Sequence, residues 1–408
     1  MRLSLRLAKL VNYTPDKNKR PGIIKAIVEA TGLDRHLVSN LLRNVARGIP
    51  LDALSRLCEF LVDQGYCSPD QLPGALFGVE AETFWELLAR RQRLELCVGV
   101  RSAEQPEWPE RAWVVASDAV LVGELLNGVS TLGGTTQLRA DLVTGAASDG
   151  ESASPAYAAS RGSGRPPHPE HLRQSLVWSP GTATSEVAIE RAQEIYREFG
   201  GAKHDKALVC LGSMKSNPVA ELVMASAFEC SPFVSQDRVS RAVERSCPFY
   251  LRYRDRDPHP ESCWGGTRLA GDLAADKPGL YYEQAAGDWA FCASDEQGQD
   301  AAFVFYVNCA AQGWLEMVLG GFSGRATRLL AKTLASRAEE FWPPVFEAFG
   351  KQYGAYVVKF ASPRESDQQQ DLLRTDVSGD PTIIPLDKAV FERRLTADDS
   401  DDGDPGKE

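Results

Sequence analysis

The chain has 408 residues, 43% of them apolar, and carries a formal net charge of −11 at neutral pH. That length exceeds what a single core usually organises, and the acidic balance, taken alone, argues against a nucleic-acid partner. No run of about 18 apolar residues and no leader with a charged start, apolar middle and small-residue cleavage site is present, so neither membrane spanning nor export is expected and the protein reads as cytoplasmic. The first sixty residues depart from the average. They hold eleven basic residues against five acidic ones, a local cationic surface of the kind that supplies the sequence-independent part of DNA affinity. Lys17, Lys19 and Arg20 precede the first well-patterned helix, where they suit contacts to a phosphate backbone.

Two short helices follow. Ile23, Ile24, Ile27 and Val28 recur at helical spacing, Gly32 supplies a residue tolerant of positive φ, and Leu37, Val38, Leu41 and Leu42 resume the pattern. Asp34 stands where an N-cap accepts the first free backbone N–H groups of the second helix. The face left over carries Arg35, His36, Ser39, Asn40, Arg43 and Asn44. Arginine and asparagine suit bidentate reading of guanine and adenine edges in the major groove. Around its turn the segment resembles the Cro/C1-type (XRE) DNA-binding family, in Gly32, Leu33, Asp34, three variable residues, Val38 and Ser39. Residues 48–61, with Leu51, Leu54, Leu57, Cys58 and Leu61 as an apolar stripe, look like that family's fourth helix. The resemblance covers roughly the first fifth of the chain and departs from the family at Val28, where a small alanine is usual. It implies an all-α helix-turn-helix domain over residues 1–92 whose partner is double-stranded DNA. Because one short recognition helix reads few bases, a homodimer on two half-sites is expected. A helical hairpin used for packing or for a protein partner has the same periodicity.

Beyond residue 92 the pattern changes to alternating strands and helices. Residues 94–100 and 112–116 read as buried strands, the second leading into a helix that starts at Ser117 and Asp118. Residues 145–169 are dominated by Ala, Ser, Gly and Pro and mark a flexible insertion, about 145–175 at its widest. A helix over 185–199 ends at Gly200 and Gly201. Residues 207–211 form a strand, 212–217 a polar loop, and Pro218 opens a helix through 228. Strands at 301–307, 314–319 and 355–360 and a helix over 329–341 complete a Rossmann-like α/β domain with a parallel sheet, residues 93–395. Residues 396–408 form an acidic tail with no apolar anchor. The fold class is therefore multidomain, an all-α N-terminal domain followed by an α/β domain.

Two strand-loop-helix units place polar side chains at strand C-termini, the edge where open α/β sheets bind ligands. The first loop offers Gly212, Ser213, Lys215, Ser216 and Asn217; the second offers Gly320, Gly321, Ser323, Gly324, Arg325 and Thr327. Ser117 and Asp118 supply a third edge loop. Residues 212–217 lack the Gly-Lys-Ser/Thr of a P-loop, and Gly320-Gly-x-x-Gly324 is one position out from a dinucleotide fingerprint, so no named cofactor is expected. A nucleophile-elbow role for Ser323 fails because Arg325 replaces the second elbow glycine and no histidine follows His259. Cys247, His259 and Cys263 lack paired zinc-ligand spacing, and nine irregularly spaced cysteines read as free thiols, so no metal site is expected. Together these features describe a transcriptional regulator whose α/β domain senses a small, phosphorylated or nucleotide-like ligand. A nucleotide- or NAD-processing enzyme using Asp118 or Glu221, and a non-catalytic adaptor, remain as rivals.

Overall fold

Apolar periodicity near the N-terminus resolves into β1 (Leu3–Leu5), α1 (Leu7–Leu10), α2 (Ile23–Thr31), α3 (Arg35–Leu42), α4 (Leu51–Asp63), α5 (Leu72–Leu76) and β2 (Phe77–Val79). The computed structural model describes residues 3–11, 13, 22–69, 72–79, 81–102, 112–132, 171–180, 184–202, 205–213, 215–234, 247–254, 257, 261–262, 277–294, 298–348, 350–361 and 380–395. Leu7, Ile27, Val38, Leu41, Leu57 and Leu61 meet in one buried cluster. The turn between α2 and α3 follows from its residue types. Gly32 takes φ +68°, where a side chain would be strained, and Asp34 caps α3 by accepting the N–H groups of His36 at 2.7 Å and Leu37 at 3.3 Å. The pattern suggested an all-α segment, but this part of the chain also holds two strands. β1 and β2 pair antiparallel, Leu3 with Val79 and Leu5 with Phe77, and three-residue strands are too short to show alternation in sequence.

The rest of the chain continues through α6 (Phe84–Ala89), β3 (Arg93–Ser102), β4 (Ala112–Val114), α7 (Ala116–Thr131), β5 (His171–Trp178), α8 (Ser185–Gly201), β6 (Lys206–Leu211) and α9 (Val219–Ala227). It closes with β7 (Phe249–Arg252), β8 (Gly279–Glu283), β9 (Trp289–Ala293), β10 (Gln299–Cys309), β11 (Trp314–Gly321), α10 (Gly324–Arg337), β12 (Phe346–Ala348), β13 (Lys351–Ala361), β14 (Thr382–Pro385) and α11 (Lys388–Leu395). β5, β3, β6 and β11 lie parallel in that spatial order. β10 then pairs antiparallel with β11 and β13, and β12 and β14 share the far edge of β13. The sheet is thus mixed rather than purely parallel, because β10 and β11 are joined by a tight turn that can only form an antiparallel pair. The four parallel strands and their helices are compatible with a Rossmann-like arrangement. β7, β8 and β9 form a separate small sheet.

All six residues of β6 are buried, as expected of a strand covered on both faces. Ala207, Val209 and Leu211 face a core shared with α6, α7 and α10. Leu208 and Cys210 face a second core built with α8, α9, α11 and the small sheet. α6, on the N-terminal side of the boundary expected near residue 92, buries Phe84, Trp85, Leu87 and Leu88 in the first of these cores. Two boundaries shift for local reasons. α8 runs through Gly200 and Gly201 because the Lys206 ammonium donates to the carbonyls of Phe199, Gly200 and Ala202, a cation satisfying the free C-terminal groups of the helix. α10 starts five residues before the expected position, because Ser323 caps it by accepting the Ala326 N–H at 3.1 Å. Residues 145–170 of the expected insertion (about 145–175) and the tail at 396–408 lie outside the described residues, as do His259 and Cys263; residues 171–175 are not insertion but the start of β5, paired in parallel with β3. Among the described residues no helix is long and apolar enough to cross a membrane.

The N-terminal module docks on the edge where the parallel strands begin. Asp205, buried just before β6, holds Arg91 at 2.8 Å, Arg6 at 3.1 Å and Lys9 at 3.9 Å. Burial pulls the Lys9 ammonium below the ordinary lysine value, partly offset by Asp205. The Gln312 amide donates to the Tyr13 carbonyl at 3.5 Å. Gly350, at φ +76°, lies so close to α3 that a Cβ there would meet the Arg43 carbonyl oxygen at 2.4 Å. Removing the charge of Asp205 leaves Arg91 buried without its anion. Asp205→Asn is therefore expected to cost about 3 kcal/mol in urea unfolding and to speed proteolytic cleavage between the N-terminal module and the sheet. Unchanged stability and cleavage would show that the module is held by its apolar contacts alone.

Candidate functional site

Two surfaces at opposite ends of the parallel strands gather the sequence-predicted residues. On the first, α3 turns Val38, Leu41 and Leu42 into the N-terminal core and leaves Arg35, His36, Asn40 and Arg43 exposed, with Ser39 half-buried. Arg35 shares an open groove with Lys25, Ile24 and Val28, so cations from α2 and α3 stand together. Asn44 does not belong with them. It sits at φ +57°, a conformation asparagine tolerates better than most residues, and its side-chain oxygen accepts the Leu5 N–H at 2.8 Å. Its role is to tie the end of α3 to β1. Lys17, Lys19 and Arg20 lie outside the described residues. Behind Asn44, an open cleft of about 520 Å³ separates residues 44–47 from residues 350–352 of the sheet.

The second surface is the C-terminal edge. The order β5-β3-β6 makes the chain leave β3 in one direction and reach β6 in the other, with α7 and α8 on opposite faces. Such a reversal opens a crevice between the strand ends. Here the 212–217 loop fills it. The Ser216 carbonyl lies over Gly99, where a Cβ would approach to 1.9 Å, and accepts the Ser179 hydroxyl at 2.8 Å. Asn217, expected to face a ligand, is instead fully buried and ties the strands together. Its amide donates to the carbonyls of Cys97 at 2.8 Å and Leu211 at 3.2 Å, and its oxygen accepts the Val219 N–H at 3.1 Å. Ser216 donates to the Ser213 carbonyl at 3.0 Å, and its hydroxyl occupies the space a side chain on Gly212 would need. Lys215 pairs with Asp257 at 2.9 Å. Ser213 is buried beside Tyr253.

The second loop is similarly committed. Gly320 and Gly321 lie within β11, and a Cβ on them would meet the Gly212 backbone at 2.9 Å and the Thr327 nitrogen at 2.3 Å. They are glycines because strand and helix pack tightly there. The Thr327 hydroxyl donates to the Ser323 carbonyl at 3.1 Å and accepts the Gly321 N–H at 3.3 Å. Ser323 caps α10 and donates to Asp300.

What stays uncommitted lies where α7 and α10 begin side by side. The Ser117 hydroxyl comes 3.4 Å from the position of a Cβ on Gly324 and donates to Asp118 Oδ1 at 3.2 Å. Asp118 Oδ2, buried and 3.5 Å from the Cβ position of Gly212, has no hydrogen-bond partner among the described residues. Burial lifts this carboxyl to about 6, against the opposing effects of Ser117 and Arg101. Gly324 is exposed and Arg325 half-buried. Sequence reasoning missed Asp300, whose carboxyl burial also raises, although hydrogen bonds from Ser323 and the Ala301 N–H oppose the shift. Its only signal was a polar residue just ahead of a continuous apolar run. Arg254, which reaches Ser294 at 3.1 Å and lies over the Phe322 ring, gave no signal at all.

Neither protein-family models, nor curated proteins, nor solved structures match this chain.

The Asp118 shift has a definite sign. Between about pH 4 and pH 6 the unfolded chain releases this proton before the folded one does, so stability falls as pH rises and the full cost, roughly 3 kcal/mol, applies above pH 6. Asp118→Asn, which cannot ionise, is expected to raise Tm at pH 7.5 and to leave it nearly unchanged at pH 4. Equal shifts at both pH values would show that the burial cost is not that of a charge.

Proposed function

We propose that the protein is a cytoplasmic, sequence-specific DNA-binding regulator in which α3 enters the major groove and the C-terminal edge of the sheet senses a small ligand. The observation that carries this reading is the exposed face of α3. Asp34 fixes the start of the helix, its apolar side is buried, and Arg35 and His36 at its N-terminal half, with Asn40 one turn further on, project from the module without a task in its packing. That half of a recognition helix is the part that reaches base edges. Lys25 and Arg43 flank it with charge suited to phosphates. A homodimer would place two such helices on successive half-sites.

Ligand binding at the far edge would act on DNA affinity only by favouring one arrangement of the N-terminal module over another. The module meets the sheet through Asp205, Gln312 and Gly350, and β6 runs from that contact to the 212–217 loop. A second reading rests on the buried Asp118, whose Oδ2 has no hydrogen-bond partner among the described residues and whose raised carboxyl suits proton transfer in a nucleotide-processing enzyme. Turnover of NAD or a nucleotide that Asp118→Asn abolishes would replace the sensor role.

Genome-wide occupancy of the intact protein is expected to show enriched sites related by two-fold symmetry. Arg35→Ala with Asn40→Ala is expected to weaken binding to such a site by about 1–3 kcal/mol per lost base contact. Arg43→Ala should weaken all sequences alike and flatten the salt dependence. No enriched site, or binding unaffected by the double substitution, would overturn the regulator reading.

A further inference from the structure

An eight-residue helix is about 12 Å long, close to the width of the major groove, so a recognition helix that enters by its N-terminal half brings its other end to the flanking phosphates. At that end of α3 stands the sheet. The turn between β12 and β13 packs so tightly there that a Cβ on Gly350 would lie 2.4 Å from the Arg43 carbonyl oxygen and 3.7 Å from the Arg43 Cα. Beside this contact opens the cleft of about 520 Å³, with Arg47 on the module wall and Lys351, the first residue of β13, on the sheet wall. Arg43 and Arg47 are exposed and Lys351 is half-buried. The Lys351 ammonium stands 5.8 Å from the centre of the Trp314 ring, an attraction that restrains an otherwise flexible side chain. Among the described lining residues the one acid is Glu347, which accepts the Gln352 amide at 2.7 Å. Both walls are fixed from behind. Asp205 holds the module through Arg6 and Lys9, and Asn308, bonded to Arg91, donates to Gln352 at 2.7 Å.

We infer that this cleft is a second DNA contact, in which Lys351 of the sheet and Arg47 of the module grip the phosphodiester backbone beside the groove that α3 reads. Charge complementarity selects the occupant. Two cations on opposite walls, with Arg43 continuing the line toward α3, match the repeated charges of a polyanion, and the release of its counterions adds affinity at each contact. A single small anion in so open a cleft would stay in water and engage the cations one at a time. Backbone contacts position a protein on DNA without reading its sequence, so these residues add to affinity and leave base preference to Arg35 and Asn40. The α/β domain thereby becomes part of the DNA interface. Moving the module against the sheet would part the two walls and weaken binding to every sequence, which gives the sensor a physical means of acting. This inference rests on the DNA-binding reading of α3 and assigns part of that interface to the sheet.

The test is titration of the full chain with two duplexes of equal length, one carrying a site enriched in genome-wide occupancy and one of random sequence, over about 50 to 200 mM salt. Lys351→Gln and Arg47→Gln, checked for folding by thermal unfolding, are each expected to weaken both duplexes several-fold and to leave the ratio between them unchanged. Each should also reduce the slope of log affinity against log salt by about 0.9. Glu347→Gln removes the acid and keeps an acceptor for Gln352, so it is expected to strengthen both duplexes. Lys332→Gln, on the exposed side of α10, serves as the control and should leave the slope unchanged. A slope unaffected by Lys351→Gln, or flattened as much by Lys332→Gln, overturns the inference, as does unchanged or weaker binding by Glu347→Gln. If Arg35→Ala with Asn40→Ala still weakens the enriched site in that case, the regulator reading stands without the sheet's contribution. No binding of either duplex by the unsubstituted chain overturns the regulator reading and this inference with it.

Discussion

A carboxylate buried at the start of the central strand joins the two parts of this protein. Asp205 takes charge from Arg6 and Lys9 of the N-terminal module and from Arg91 just ahead of β3, so one side chain sets the position of the module against the sheet. The arrangement has a cost, because each cation gives up part of its hydration. The Arg91 guanidinium meets part of it by also reaching the Asn308 side chain, which in turn donates to Gln352 at 2.7 Å. The result is a polar network across the strand starts, in place of an apolar seam on which the module could slide.

β6 connects that network to the opposite edge. Its six residues, buried on both faces, span roughly 20 Å. They end at Gly212, whose positive φ and missing side chain let the following loop fold back over β3. Asn217 locks the loop by bonding to strands on either side of the crevice. The usual ligand position of a doubly wound sheet is therefore occupied by the chain itself. The buried Ser117 and Asp118 lie one layer away, where α7 and α10 begin. The two candidate surfaces share a rigid strand, which gives any coupling between them a defined physical route.

Much of the local structure was legible. The α2 and α3 pattern, the Gly32 turn and the Asp34 cap each depend on residues within one or two helical turns, and they formed where the spacing placed them. The strands at β6 and β11 were equally plain, as continuous apolar runs. The candidate ligand loops fared differently. Of the polar residues they offered, Asn217, Ser216 and Thr327 bond to backbone, and Lys215 to Asp257. A loop rich in Ser, Asn and Gly looks the same in sequence whether it serves a ligand or its own turn, because the same hydrogen-bonding groups do both. Asn44 was misplaced for a related reason: a position at helical spacing carries no mark of the left-handed backbone that takes it out of the helix.

The sequence by itself determined the elements whose interactions are short-range: the amphipathic helices, their caps, the buried strands and the basic start of an acidic chain. Only the tertiary structure decided which strands pair antiparallel, which glycines are there for close packing, and which carboxylates are spent. Asp118 and Asp205 are both aspartates beside regular elements, and nothing local separates them. Asp205 meets three cations drawn from distant parts of the chain, and Asp118 is left with an oxygen that has no donor among the described residues. That difference comes from contacts across long sequence separations, which only the folded chain brings together.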